Sequence, residues 1–326
     1  MLKVIYAGNP ECSAKTLRAL TYASQRSEAF EIVGVITNLP SKKGHDKVET
    51  DTPVGKVAKE LGLRLFTLNE IGSLLDDTIK ELKANVLVSF AYGRIFKKPF
   101  LDLFQECINI HPSALPKYRG CTPVQAAILN RDKSTAVSIQ ELSEGLDEGN
   151  ILSREMIPLN FTETADSLLD IASEIGARHV ISLLEEWDFT GLVRPGAKQI
   201  GEVSYTNKIY SNEYARIDWQ KDDSKTIDAK VRAYNSEPGA WCKDGDTTLK
   251  ILSVSFIDDK SVESLLDEHK DTKPGEVFLY DKRYGIVVRT VDGVILLTEL
   301  QKQGKKAMDY KSFMNGARNF IGTILF

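Results

Sequence analysis

The chain is poor in the residues that build metal centres and disulfide frameworks. It has four cysteines in 326 residues, Cys12, Cys107, Cys121 and Cys242, and no two of them stand at CxxC spacing. Common zinc-site and disulfide patterns are therefore excluded, no metal is expected, and a reducing cytoplasm is the expected setting. Each cysteine reads instead as a small apolar residue. Neither GxGxxG nor GxxxxGK[ST] occurs, which removes the fingerprints of a nicotinamide oxidoreductase and of a P-loop enzyme. No apolar run approaches the length of a bilayer span, and Met1 runs straight into the strand-like LKVIYA, so neither a membrane segment nor a leader is expected. A net charge of −4 gives no global basic field for polyanions, although such a sum hides local patches. Histidine is also scarce, with four in the chain, so each one invites a question.

What is there is an alternating first half. LKVIYA reads as a strand, PECSAKTLRALTYAS as a helix with Pro10 near its start, and FEIVGVIT as a second strand. PVGKVAKEL is a short helix opened by Thr52 and Pro53, RLF a brief strand, and EIGSLLDDTIKELK an amphipathic helix. NVLVSF and CINIH are continuous apolar strands. This alternation predicts an α/β fold, a largely parallel, Rossmann-like sheet with helices on both faces. TAVSIQEL and NILSREMIP then flank the loop SEGLDEGN, and a long helix is expected over SLLDIASEIGARHVISLLEEW. Periodicity is lost from Phe189 to Tyr210, which places a first domain at 1–189, a connector at 190–206 and a second domain at 207–326. In that second domain a helix over DDSKTIDAKVRAYN precedes four strands, TTLKILSVSFI, GEVFLYD, YGIVVRT and GVILLTEL, and DYKSFMNGAR closes it as a helix. Short strands with few helices suggest a small β-barrel of the OB kind.

The chemistry concentrates in INIHPSALPKYRG, residues 108–120. Alternate strand residues share a face, so Cys107, Asn109 and His111 should point the same way, at a strand end. An asparagine amide can donate to a developing oxyanion, and histidine can serve as acid, base or cationic donor. The loop SEGLDEGN supplies a carboxylate, Asp147, between Gly145 and Gly149. The carboxyl edge of a parallel sheet is where open α/β folds bind ligands. Taken singly, His111 could be a cap and Asp147 a turn acid. Pro112, Ser113, Pro116, Arg119 and Gly120 at fixed offsets make the functional reading the stronger one. A Cys107–His111 nucleophile of the thiol hydrolase type is a rival, weakened because Cys107 sits deeper along the strand.

NIHPSALPKYRG followed by GLDEG resembles the signature of the folate-dependent formyltransferases, and the likeness extends through VIYAGNP, VSFAYGRI and the C-terminal GKKAM over essentially the whole chain. The resemblance implies transfer of a formyl group from 10-formyltetrahydrofolate, a cosubstrate, to an amine without a metal. It makes Asn109, His111 and Asp147 the catalytic group. It places the folate beside Ser113, Ala114, Leu115 and Pro116, with the pterin near Tyr92, Gly93 and Ile95. GKKAM, together with IDW at 217–219, is similar to the branch whose acceptor is methionine carried on initiator tRNA. That branch implies tRNA contacts from the loop lysines Lys42, Lys43 and Lys47 and from the tail lysines Lys302, Lys305 and Lys306. A monomer without membrane association is expected. Two rivals, a sugar-amine formyltransferase and a formyltetrahydrofolate hydrolase, would share the catalytic group. A non-catalytic RNA-binding protein with a folate sensor domain would not need it.

Overall fold

The computed structural model describes residues 1–43, 48–67, 73–208, 211–235 and 237–326, which form two compact units. The first comprises Met1–Val124, Ser134–Leu159 and Ser167–Lys208, and the second Gln125–Lys133, Asn160–Asp166 and Ile209–Phe326.

The first unit is built on a seven-stranded sheet. From one edge to the other its strands are Ile151–Pro158, Ser134–Glu141, Glu106–His111, Val86–Phe90, Leu2–Gly8, Phe30–Thr37 and Leu65–Thr67. The last five run parallel, Ser134–Glu141 runs antiparallel to them beside His111, and the edge strand Ile151–Pro158 is in turn antiparallel to Ser134–Glu141. The apolar strand Val86–Phe90 is buried along its whole length, which the expected helical cover on both faces requires. Under it, Leu75 and Ile79 of the helix Ser73–Leu82 pack with Leu87, Tyr92, Phe96, Phe100 and Phe104. The aromatic rings continue in a ladder with centroids 5.2, 5.4 and 5.5 Å apart. Each large side chain so buried stabilises the fold by about 1.5–3 kcal/mol relative to exposure.

Strand order reverses between Leu2–Gly8 and Val86–Phe90, the switch point where an α/β sheet opens a crevice at its carboxyl edge. Asn9 closes the base of that opening. Its amide nitrogen donates to the Tyr92 carbonyl, and its Oδ1 accepts from the Thr37 hydroxyl at 2.9 Å and the Asn38 N–H at 2.8 Å.

The stretch 190–206, which lacks periodicity in the sequence, carries backbone pairing to the first unit. Ala197 bridges Ile151, and Tyr205–Thr206 pairs in parallel with Arg119–Gly120. The basic loop after Asn38 holds a short hairpin, Ser41–Lys43 with Val48–Thr50.

The second unit is built on a six-stranded antiparallel sheet, five strands in the order Ala240–Asp244, Thr247–Ser255, Val294–Lys302, Gly285–Arg289 and Val277–Asp281, with the short Met308–Asp309 also paired to Val294–Lys302. The C-terminal residues join its two edges. Leu325 bridges Asp244 on one side, while Ile324 bridges Glu276 on the other, which closes the sheet into the expected small barrel. Its interior is filled by Trp219, Ile227, Leu249, Ile251, Ile286, Leu297 and Phe313. Three helices flank it, Ser224–Ala233, Asp259–Glu268 and Tyr310–Gly316. All three start on the same pattern, Asp-x-Lys-Ser/Thr. Asp223, Asp258 and Asp309 accept from the N–H three residues on, at 2.7, 3.1 and 2.7 Å. Such caps contribute about 1 kcal/mol each. The helix Asp259–Glu268 and the strand Ala240–Asp244 go beyond what periodicity indicated.

Candidate active site

The strand Glu106–His111 lies inside the sheet, and its residues alternate between two environments. Ile108 and Ile110 are buried on one side, Ile110 against Gly176 of the long helix Ala165–Thr190. Asn109 and His111 lie on the other side, as the period of two demands. Cys107 shares that face deeper in the sheet, within the aromatic cluster, where burial pushes its thiol up to about 12. A thiolate nucleophile is therefore not available there, and the Cys–His rival loses its chemistry.

His111 is 4 % exposed. Its Nε2 lies 2.9 Å from the Tyr118 carbonyl, an acceptor only, so Nε2 carries a proton and donates. Its Nδ1 faces Asp147 with 3.6 Å to Oδ2. Asp147 sits at φ +55°, in the left-handed region, which turns its carboxylate back toward the strand end. Oδ2 accepts from the Gly120 N–H at 2.7 Å, and Oδ1 accepts from the Gln140 amide at 2.9 Å. Asn109 is half-buried, and its side-chain amide makes no hydrogen bond with a described residue. An imidazole and an amide without a partner among the described residues thus share one strand end, with the carboxylate held beside the imidazole.

Two glycines permit this closeness. Gly120 has φ +109°, and a Cβ there would meet the Thr206 carbonyl at 2.2 Å; a Cβ on Gly149 would meet the Glu141 carbonyl at 1.7 Å. Both obstacles are backbone, so neither position accepts a side chain without moving the loop.

The remaining expected residues fall into three groups. Ser113 is fully buried, and its hydroxyl donates to the Lys117 carbonyl at 2.6 Å while its own carbonyl accepts from Ser138 at 2.7 Å. Ala114 accepts from the Lys117 N–H, Leu115 accepts from Arg154, and Pro116 accepts from the Ser204 N–H, so Ser113–Pro116 forms a tightly tied turn directly after His111. Tyr92 belongs to the core ladder through its ring, and its buried hydroxyl has no partner among the described residues; its backbone reaches the sheet edge. Beside it, Gly93 at φ +78° and Ile95, 75 % exposed, line the same edge in the open. Of the lysines, Lys305 and Lys306 are exposed with no ion pair to a described residue. Lys302 is held inside the second unit, 3.5 Å from Asp244 and over the rings of Phe313 and Phe320. Lys42 and Lys43 lie in the strand Ser41–Lys43, and Lys47 lies outside the described residues.

Sequence reasoning missed the polar surroundings of Asp147. Gln140, 1 % exposed, stands opposite Asn109 in the strand register and so shares its face. Gln199 and Tyr205 arrive from the aperiodic stretch after the long helix. Gln140 was readable, because it falls two residues after Ser138 on an alternating strand that flanks the acid loop; Gln199 had no such signal. Cys121, next to Gly120, is exposed, while Cys12, Cys107 and Cys242 are buried.

The family described as formyl transferase matches residues 2–184, and the formyl transferase C-terminal domain matches 209–318. The chain belongs to the formyl transferase family. Proteins named methionyl-tRNA formyltransferase align with it nearly end to end. The one from Treponema denticola is 32 % identical over 98 % of this chain and 98 % of its own. That of Neisseria meningitidis serogroup C is 34 % identical over 99 % and 100 %, and that of Methylacidiphilum infernorum 34 % over 100 % and 98 %. Among solved structures the fold is shared by the methionyl-tRNA formyltransferase from Clostridium thermocellum, with TM-score 0.57 and 18 % identity over 79 % of this chain and 95 % of that one. It is shared also by an N-formyltransferase from Helicobacter canadensis in complex with folinic acid and dTDP-3-aminofucose, with TM-score 0.62 and 21 % identity over 93 % and 100 %.

Proposed function

We propose that this chain transfers the formyl group of 10-formyltetrahydrofolate to the amino group of methionine on initiator tRNA, acting as a monomer in the cytoplasm. The observation that carries the reading is the convergence of His111, Asp147 and the Asn109 amide, which has no partner among the described residues, at one strand end on the carboxyl edge of the sheet. The amine attacks the formyl carbon, and a tetrahedral oxyanion forms. The Asn109 amide donates to it; His111, whose Nε2–H is held by the Tyr118 carbonyl, donates through Nδ1 in its protonated form, and Asp147 beside that nitrogen orients the imidazole and accepts the proton the amine loses, directly or through water. Collapse of the intermediate expels the folate nitrogen, which takes up a proton as it leaves. The turn Ser113–Pro116 and the edge formed by Tyr92, Gly93 and Ile95 are the proposed folate walls. Residues 207–326 are the proposed tRNA platform, with the exposed Lys305 and Lys306 among its cations. The alignment of the whole chain with relatives named for methionyl-tRNA supports that acceptor.

Two measurements test this. Offered 10-formyltetrahydrofolate with charged initiator tRNA, charged elongator tRNA, an amino-sugar nucleotide or water alone, the enzyme should consume the initiator tRNA fastest. Preference for the sugar or for water would replace the acceptor. Asn109→Ala, His111→Ala and Asp147→Asn should each lower kcat by roughly a hundredfold or more in folded protein. Near-normal turnover in folded His111→Ala would sink the catalytic assignment.

A further inference from the structure

We infer that Arg119, Gln199 and Gln140 form a polarised relay of positioning residues that fixes Asp147 for the reaction. The inference rests on the formyl-transfer reading given above.

The direction of every bond in the relay is set by its ends. Arg119 can only donate, and an ionised Asp147 can only accept. Arg119 is 9 % exposed and donates to Gln199 Oε1 from Nε at 3.2 Å and from Nη2 at 2.8 Å. With its oxygen so occupied, Gln199 turns its amino group the other way. That group donates to the carbonyls of Asp147 and Gly149, each at 2.8 Å, and approaches Gln140 Oε1 at 3.4 Å. Gln140 in turn directs its amino group to Asp147 Oδ1 at 2.9 Å. Two amides therefore point the same way between a cation and a carboxylate, and each polarises the next. The guanidinium is held in place by Glu148 at 3.2 Å and by the Tyr205 hydroxyl at 3.1 Å, and it lies over the Tyr205 ring.

The relay does two things for one residue. Gln199 clamps the backbone of Asp147 and Gly149, which keeps the loop in its left-handed turn. Gln140 occupies the carboxylate oxygen that does not face His111, so Asp147 is prevented from rotating away from the imidazole. Neither glutamine side chain hydrogen-bonds to His111 or to the Asn109 amide, so both side chains act through Asp147.

Positioning predicts a loss in kcat with little change in folate KM. Gln140→Leu, an apolar replacement at a buried site, should lower kcat by about tenfold or more. Gln199→Met, at a half-buried site, should act likewise, and the double variant should lose less than the product of the two. Gln140→Glu supplies a readout that packing alone would not move. At neutral pH it sets two carboxylates together, and as the pH falls they share a proton and the donor returns. Its kcat relative to wild type should rise with falling pH, whereas that of Gln140→Leu should not. Asp147→Asn runs in parallel, with initiator methionyl-tRNA as acceptor and thermal melting as the check on folding. If Asp147→Asn is crippled while folded Gln140→Leu and Gln199→Met keep full kcat, the relay is overturned and the catalytic reading stands. If Asp147→Asn itself keeps full kcat, both fall.

Discussion

At the scale of single residues, the sheet holds a carboxyl whose ionisation costs stability. Glu106 opens the strand that ends at His111, and burial together with the nearby charge of Glu141 pushes its carboxyl up to about 7. Its folded pKa lies above the value of about 4.3 expected for the unfolded chain. The stability linked to it is therefore fully present below about pH 4 and is lost as the pH rises through 7. Glu106→Gln should raise the melting temperature at pH 8 by about 2–4 °C, the shift that ~1 kcal/mol produces in a domain of this size, and leave it unchanged at pH 4. Melting curves at the two pH values check this, and an equal effect at both would remove the electrostatic cause. The residue scale is also where the sequence was most uneven. Asn109, His111 and Asp147 were legible because spacing in a strand and flanking glycines constrain them locally. The stack that takes the Tyr92 ring is written in the four-residue spacing of Tyr92, Phe96, Phe100 and Phe104, whereas the seat of Lys302 draws on Asp244, Phe313 and Phe320 from other segments, which no local pattern records.

Among the elements, the acid loop depends on a contact that a single methyl group would destroy. Gly149 lies against the Glu141 carbonyl, and an added Cβ would stand 1.7 Å from that oxygen. Gly149→Ala must push the loop outward and carry Asp147 with it, so kcat should fall by roughly a hundredfold, as for Asp147→Asn, with folate binding retained. Full turnover in a folded Gly149→Ala protein would show that the loop tolerates the displacement. The alternating elements of the first unit were readable because buried parallel strands and amphipathic helices have distinct periods. The strand Ala240–Asp244 was not, since only Ala240 and Cys242 of its five residues are fully buried and its outward face is Trp241 and Lys243. The helix Asp259–Glu268 left its mark in the Asp-x-Lys-Ser cap and in Val262, Leu265 and Leu266, whose spacing turns them onto one apolar cluster. The stretch 190–206 has no period because it pairs through isolated bridges and two-residue strands, which impose no pattern on its side chains.

For the whole molecule, the charge that would meet a nucleic acid is local, since the chain carries a net −4. Affinity for tRNA should fall steeply with salt, and each lost phosphate contact should flatten the slope of log affinity against log salt by about one. Lys305→Ala and Lys306→Ala should flatten it, whereas Lys302→Ala should instead lower the melting temperature, because its ammonium is engaged by Asp244 and two rings. A titration series from low to high salt on the three variants checks this, and equal slopes in all three would detach the tail from the tRNA. The distribution of thiols has a practical use of another kind. Three of the four cysteines are buried, and the fourth, Cys121, is exposed one residue beyond the Gly120 N–H that holds Asp147. The native chain therefore carries a built-in attachment point for a maleimide dye, and a fluorophore placed there would sit close enough to the acid loop to report its movements without any engineered substitution.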